Sequence, residues 1–483
     1  MGQKSAVDVG RLIPEGVRAY PESVRKVKGT WLALVKTEQG KFIFLSRNLK
    51  NFSELQEVSK GYLAPLSPAN AAALMDLCPE LRPRRLPAGV SFGFGDRIGG
   101  ATPGHLRALA GADVFPVLAQ QSVRELTRTG RNFQEVLATA VFGALQEGYG
   151  GGFGADADHL KTVDQAREAA RAGYTMFTCD PSQELVSPAR LPEEELEQRY
   201  HALPERERWE KEYLGKNFQI KGLGRLRFSL QELVQVAVKF SRAIELACEM
   251  YAALKELLPQ GFDFELSLDE AEAPTTPAEH YFVVSELAKR DVVLTGLAPR
   301  FGGVLEKAVD YRGSLEVFRR DLRAHVALAN VLGPYRISLH SGSDKFSLYP
   351  VLAREGGGRW HVKTAGTSYL VALGVVAEKD PQLLREIWAQ ALKSFATDRE
   401  SYHLAPDLSR LPSPQELPEQ DLPSLLTQDD PRQVLHVTFG SVLRGELGDR
   451  LRQLLADHEE DYYRALAEHL GRHLVALGVK KDG

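Results

Sequence analysis

Between residues 90 and 368 the chain repeats one rhythm eight times: a short apolar run that ends in polar residues, most often followed by a helical stretch. The runs are VSFGFGDRIGG from Val90, then residues 114–122, 151–162, 174–182, 262–272, 292–301, 335–345 and 360–368. Strands that alternate with helices call for parallel pairing through crossover helices. Eight such units is the number that closes a TIM barrel. The expected fold is therefore α/β, a (β/α)8 TIM-type barrel. It carries a helical insertion after strand four, a small N-terminal region and a helical C-terminal extension.

Helix starts support this register. Thr162/Gln165, Ser229/Glu232 and Thr276/Glu279 have capping-box spacing, and Pro277 suits a first helical turn. Residues 1–85 read as a small α+β region, with a hairpin around Glu38, Gln39 and Gly40 and a helix capped by Ser67. Residues 86–375 form the barrel, interrupted by the insertion 183–260, which is read as an excursion over the mouth or toward a partner subunit. Residues 376–483 form the extension, with a linker at 406–431 that holds six prolines and a long amphipathic final helix.

Composition narrows the function. The 483 residues balance 60 Lys and Arg against 64 Asp and Glu, so no basic face for nucleic acid is expected. No apolar run is long enough to cross a bilayer. Three scattered cysteines offer no disulfide framework, and the N-terminus shows no signal pattern, so a cytoplasmic location is expected.

In such barrels the reactive groups sit at the C-terminal ends of the strands. Strand alternation decides which side chains face inward. If the apolar faces pack on helices, Ser338 with His340, His361 with Lys363, and Glu265 with Ser267 and Asp269 point inward. Imidazoles and carboxylates converging on one mouth suit Zn²⁺, Mn²⁺, Co²⁺ or Ni²⁺. The candidate ligands are His159, His340 and one carboxylate from Asp269, Glu270 or Asp310, with Asp310 the working choice. Asp158 or Glu270 would move protons. Gln120, Lys161, Arg300, Lys345 and Lys363 are candidate substrate contacts, and Arg97 is a further cation for a substrate carboxylate. Asp158 can equally pair with Lys161 or cap the next helix. His280 can approach the mouth from a first helical turn. His105, His325 and the C-terminal histidines from His403 to His473 read as surface or packing residues.

The stretches FGFGDRIGGATPGHL, GADADHLKT, FELSLDEAEAPTTPAEH, GLAPRF and ISLHSGSDKFSLYP, taken together, resemble the tagaturonate/fructuronate epimerase family, which includes tagatose 4-epimerases. The resemblance covers most of residues 85–375. It implies a divalent metal, interconversion of two ketohexuronates that differ at C4, and a paired proton acceptor and donor. By position it implies Asp158 as acceptor, Glu270 as donor, and His159 and His340 as metal ligands. Two routes are open, retro-aldol cleavage of C3–C4 or direct proton exchange at C4. The competing readings are a metal-dependent sugar-acid aldolase or lyase on the same barrel and a non-catalytic carbohydrate-binding barrel. The partner is a small sugar or sugar acid, and a homo-oligomer is compatible with the sequence.

Overall fold

The computed structural model describes residues 13–482, apart from 403 and 405. Near the N-terminus six short strands form an antiparallel sheet, in which Thr30–Thr37 and Gly40–Leu45 pair as the expected hairpin. Ser67 then caps helix Pro68–Leu77 by accepting from the Asn70 N–H.

The eight strands of the rhythm close a barrel: β1 (Ser91–Phe94), β2 (Phe115–Ser122), β3 (Gly154–Leu160), β4 (Met176–Cys179), β5 (Asp263–Ser267), β6 (Gly296–Ala298), β7 (Arg336–Leu339) and β8 (Trp360–Thr364). Every neighbouring pair is parallel, and β8 returns to β1 with Lys363 opposite Gly93. The apolar alternates, such as Phe92, Leu266, Ile337 and Val362, are buried against the surrounding helices.

Ser229 and Thr276 form complete capping boxes with Glu232 and Glu279. Thr162 caps its helix, but the Gln165 side chain turns to the Lys161 N–H instead of completing the box.

The segment after β4 divides in two. Helices Glu193–His201 and Arg206–Tyr213 and the hairpin Phe218–Ile220/Gly224–Leu226 form a true excursion. Helix Leu230–Leu257, expected within that excursion, instead packs between helices Val163–Ala172 and Pro277–Ala288. That is the place of the barrel's own crossover from β4 to β5. Buried Glu286 ties the excursion to the barrel. It accepts from Trp209 Nε1 at 2.8 Å, Tyr213 OH at 2.6 Å and Arg290 Nη1 at 2.9 Å, and also from Arg208.

The final amphipathic stretch is two helices, Glu446–Asp457 and Glu459–Ala476, broken at His458. The break turns buried Glu459 toward the N-terminal sheet, where it pairs with Lys41 at 2.8 Å and accepts from Tyr20 OH at 2.9 Å. Helix Glu459–Ala476 covers the short helix Thr102–Ala108. Gly104 makes the approach possible, because a Cβ there would lie 2.7 Å from Leu466.

Candidate active site

The inward faces of the strands build a charged floor. Lys363 Nζ lies 2.7 Å from Asp156 Oδ2, 2.7 Å from Asp158 Oδ1 and 2.8 Å from Glu265 Oε1, and donates to Thr178 Oγ1 at 2.6 Å. Two glycines make room for long polar side chains inside the barrel. A Cβ on Gly93 would meet Gln120 Oε1 at 2.2 Å, and one on Gly296 would meet Glu265 Oε2 at 2.6 Å. Burial alone would neutralise such a group. Here burial pushes Asp156 up to about 6 despite Lys363. Burial also works against Glu265 and Asp158, but Lys363 with His340, and His159 with Lys363, hold these two carboxyls well below their ordinary values.

Above the floor stand two imidazoles. In an undisturbed strand His159 would face away from Asp158. Its backbone instead takes φ 54°, and the β3–β4 register slips between Ala157/Phe177 and Leu160/Cys179. This bulge brings both side chains to the mouth, a conformation that persists only where its surroundings hold it. The rings of His159 and His340 lie 5.0 Å apart. Each has a carboxylate behind it: Asp158 Oδ1 lies 2.9 Å from His159 Nδ1, and Glu265 Oε1 lies 2.8 Å from His340 Nε2. The front nitrogens, His159 Nε2 and His340 Nδ1, lie 3.7 and 3.4 Å from the same Asp269 Oδ1. A carboxylate behind each ring orients the imidazole and makes its front nitrogen the free donor. Burial opposes a charge on His159, yet Asp158 and Asp269 raise it to about 10, which marks a site of strongly negative potential.

The donor set fits a divalent ion in ligand type and spacing. Asp158, His159 and His340 can offer atoms within 4.8 Å of one another, as can His159, Asp180 and Glu270. Asp158 Oδ1 is engaged behind His159, however, so Asp269, which faces both front nitrogens, is the carboxylate placed to join the two imidazoles. His159 belongs to both sets. Glu270 lies 3.9 Å from His159 Nε2 and pairs with Arg124. Burial opposes its ionisation, but His159 and Arg124 hold it down at about 2.

An inner cleft and an outer cavity of about 390 Å³ meet at this point, sharing Arg124, Lys307, His340, Ser341 and Tyr402. Gln120 lines the inner cleft, with no hydrogen-bond partner for either amide atom among the described residues. His436 reaches the cleft from helix Asp429–Val437 and accepts from Arg97 Nη2 at 3.2 Å. Burial and Arg97 keep its imidazole neutral.

A model of the tagaturonate epimerase family matches residues 20–477. The chain belongs to this family. It is 42% identical over 469 residues to the tagaturonate/fructuronate epimerase of Thermotoga maritima, covering 96% of this chain and 97% of the relative. Two solved structures of the fructuronate-tagaturonate epimerase from Cohnella laeviribosi, one glycerol-bound and one native, superpose with TM-scores of 0.92 at 36% identity. The glycerol-bound form covers 98% of this chain and 99% of its own, and the native form covers 99% and 100%. Membership makes the chain an epimerase, an isomerase built on this barrel.

The structure gathers Asp158, His159, Glu270, His340, Lys363 and Gln120 at one mouth. Others among the sequence candidates lie elsewhere. Asp310 does not meet the histidine pair. It is exposed, and its carboxylate accepts from Ser347 N–H and Oγ and from Tyr311 N–H, while Asp269 stands between the two rings. Lys345 Nζ is buried among the carbonyls of Glu306, Val309 and Ser343 and lines neither cavity. Burial brings it down to about 7. Lys161 sits behind Glu270, bound to Ser182 and Asp180. Arg300 lines only the outer cavity and bonds the Ala271 carbonyl. His280 is buried between His325 and Tyr335, away from the mouth. His403 lies outside the described residues.

Sequence reasoning did not single out Lys307, Arg124, Ser341 or Tyr402, and it read His436 with the other C-terminal histidines as a surface or packing residue, whereas His436 lines the cleft. Arg124 lies in the first turn of helix Val123–Thr129, and the others lie in loops or the extension, so no strand period marks any of them.

Proposed function

We propose that the chain is a divalent-metal-dependent epimerase that inverts C4 of a ketohexuronate, interconverting D-tagaturonate and D-fructuronate. The observation that carries this reading is the pair His159/His340, each backed by a carboxylate and both facing Asp269. These residues would hold Zn²⁺, Mn²⁺, Co²⁺ or Ni²⁺, which would supply Lewis acidity at the ketone end of the substrate.

The rest of the chemistry falls to the chain. Hydrogen at C4 is not α to a C2 ketone, so enolisation cannot invert it. Cleavage of C3–C4 can. Asp158 takes the proton of the C4 hydroxyl. The C3–C4 electron pair moves into a C2–C3 enolate, and C4 becomes an aldehyde. The aldehyde turns its other face and C3 adds back. Among the described residues both hydrogen bonds of Asp158 fall on Oδ1, leaving Oδ2 to meet the substrate hydroxyl. Lys363 and His159 keep this carboxylate ionised at neutral pH. The proton that Asp158 took returns to the C4 oxygen as C3 adds back, so the cycle balances without an outside acid. Glu270, ionised beyond His159, accepts a hydrogen bond from the C4 hydroxyl of the opposite epimer. The Gln120 amide, buried without a partner among the described residues, suits a substrate hydroxyl. No described helix is long and apolar enough to cross a membrane. A small charged substrate and three free cysteines suit a cytoplasmic enzyme.

Turnover of tagaturonate in D2O, followed by NMR before and after chelation, tests this. The expected result is fructuronate without deuterium at C4, and loss of turnover on chelation that added metal restores. Deuterium at C4 would establish proton exchange instead. Two three-carbon products would establish a lyase, and full activity without metal would overturn the metal assignment.

A further inference from the structure

We propose that Lys307 is the cation that holds the substrate carboxylate and so selects a sugar acid over a neutral ketose. This inference rests on the uronate reading above and names the group that enforces it. Lys307 lies in the loop between β6 and helix Leu315–Leu332, and lines both the inner cleft and the outer cavity beside His340. Its ammonium donates to Ser341 Oγ at 2.6 Å and pairs with no carboxylate among the described residues. Ser341 follows His340 directly and has φ 53°, so a left-handed backbone turns its hydroxyl toward this ammonium.

The neighbouring cations are committed. Arg97 bonds Glu125 at 2.7 Å and the His436 carbonyl at 2.8 Å, and stacks 3.9 Å from the Phe439 ring. Arg124 pairs with Glu270. Lys363 is surrounded by three carboxylates. Arg300 lines the outer cavity only. Lys307 thus brings to the edge of the histidine site a positive charge that no described carboxylate contacts directly, with Asp269 and Glu270 acting on it only from a distance. Burial and nearby Arg124 already disfavour that charge, and an incoming anion would relieve the cost. A substrate whose ketone end sits at the imidazoles would extend its far end, where a uronate carries its carboxylate, toward this position.

The test compares wild type with Lys307→Met, Lys307→Arg and Arg300→Met. Two unreactive six-carbon probes, an aldonate and its matching polyol, serve as competitive inhibitors alongside tagaturonate as substrate. Removing a charge-assisted contact should weaken aldonate inhibition and kcat/KM by about 10–100-fold in Lys307→Met. Polyol inhibition should change little, and Lys307→Arg should recover part of the loss. A purely structural role would weaken both probes together. Equal loss for both probes, no selective loss, or a selective loss in Arg300→Met instead would overturn the assignment. A wild-type enzyme inert toward the uronates would sink the functional reading, while the aldonate–polyol ratio would still judge Lys307.

Discussion

Replacing Glu265 by Gln should weaken divalent-metal binding without unfolding the barrel. Glu265 Oε1 accepts from His340 Nε2 at 2.8 Å and lies 2.8 Å from Lys363 Nζ, and Oε2 accepts from the Ser338 hydroxyl. The carboxylate fixes the hydrogen on the rear nitrogen of His340, aims Nδ1 at the mouth and strengthens it as a donor. Gln preserves the shape and one acceptor but removes the charge. Loss of such a partner behind a ligand imidazole typically costs about 10–100-fold in metal affinity. That factor corresponds to about 1.4–2.7 kcal/mol. Lys363 keeps Asp156 and Asp158, so its charge stays compensated. Competition titration of Zn²⁺ or Mn²⁺ against a chelator measures the affinity. His340→Ala, which deletes a ligand outright, sets the upper bound. Excess metal should restore part of the activity of Glu265→Gln and none of that of His340→Ala. An affinity within about twofold of wild type, or a loss as large as that of His340→Ala, would refute the argued division between ligand and backing carboxylate.

Stripping metal with a chelator should lower Tm, and re-addition should restore it, since an ion at 100 times its Kd contributes about 2.7 kcal/mol. Thermal melts with and without metal check this; unchanged melts would count against a bound ion. Glu286→Gln should cost about 1.5–3 kcal/mol at pH 7, because the buried side chain loses charge-assisted bonds from Arg208, Lys289 and Arg290, although these cations keep Glu205 and Glu212 as partners. Burial opposes the ionisation of Glu286, but Arg208, Tyr213 and Lys289 hold its carboxyl far below 4.5, so the folded state binds fewer protons than the unfolded one. Its contribution is therefore full above pH 4.5 and fades as pH falls, and denaturant titrations of both proteins should converge in acid. Gly366→Ala should displace His436, because a Cβ would lie 2.0 Å from its ring; overpacking of this kind costs about 1–3 kcal/mol. Lower kcat/KM together with lower Tm is the expected readout, and an unchanged enzyme would show that His436 moves freely.

The barrel was legible because each strand carries its own signal. Alternation along residues 335–340 and 360–364 separates Ile337, Leu339 and Val362, which face the helices, from Ser338, His340, His361 and Lys363, which face inward. The same logic applied to His159 would have turned it away from Asp158, and only the bulge at φ 54° reconciles the two at one mouth. Asp310 and Asp269 were interchangeable as a third carboxylate because both follow strand ends. Asp269 continues the inward phase of Glu265 and Ser267, whereas Asp310 lies a dozen residues beyond β6, where phase is lost. Helix Leu230–Leu257 was misplaced because its amphipathic pattern is the same whether it covers a barrel or an excursion.

The linear order of residues thus determined the eight parallel strands, the polar ends of those strands and the two histidines at their tips, since these depend on periods of two and 3.6 residues that local chemistry imposes. Tertiary closure alone decided that one lysine from β8 would meet three carboxylates from β3 and β5, that His436 and Tyr402 would reach the mouth from more than 30 residues past the last strand, and that Lys307 would reach it from a loop. Distances across a barrel follow from how many strands close it and how they are staggered, and no short window of sequence contains that information.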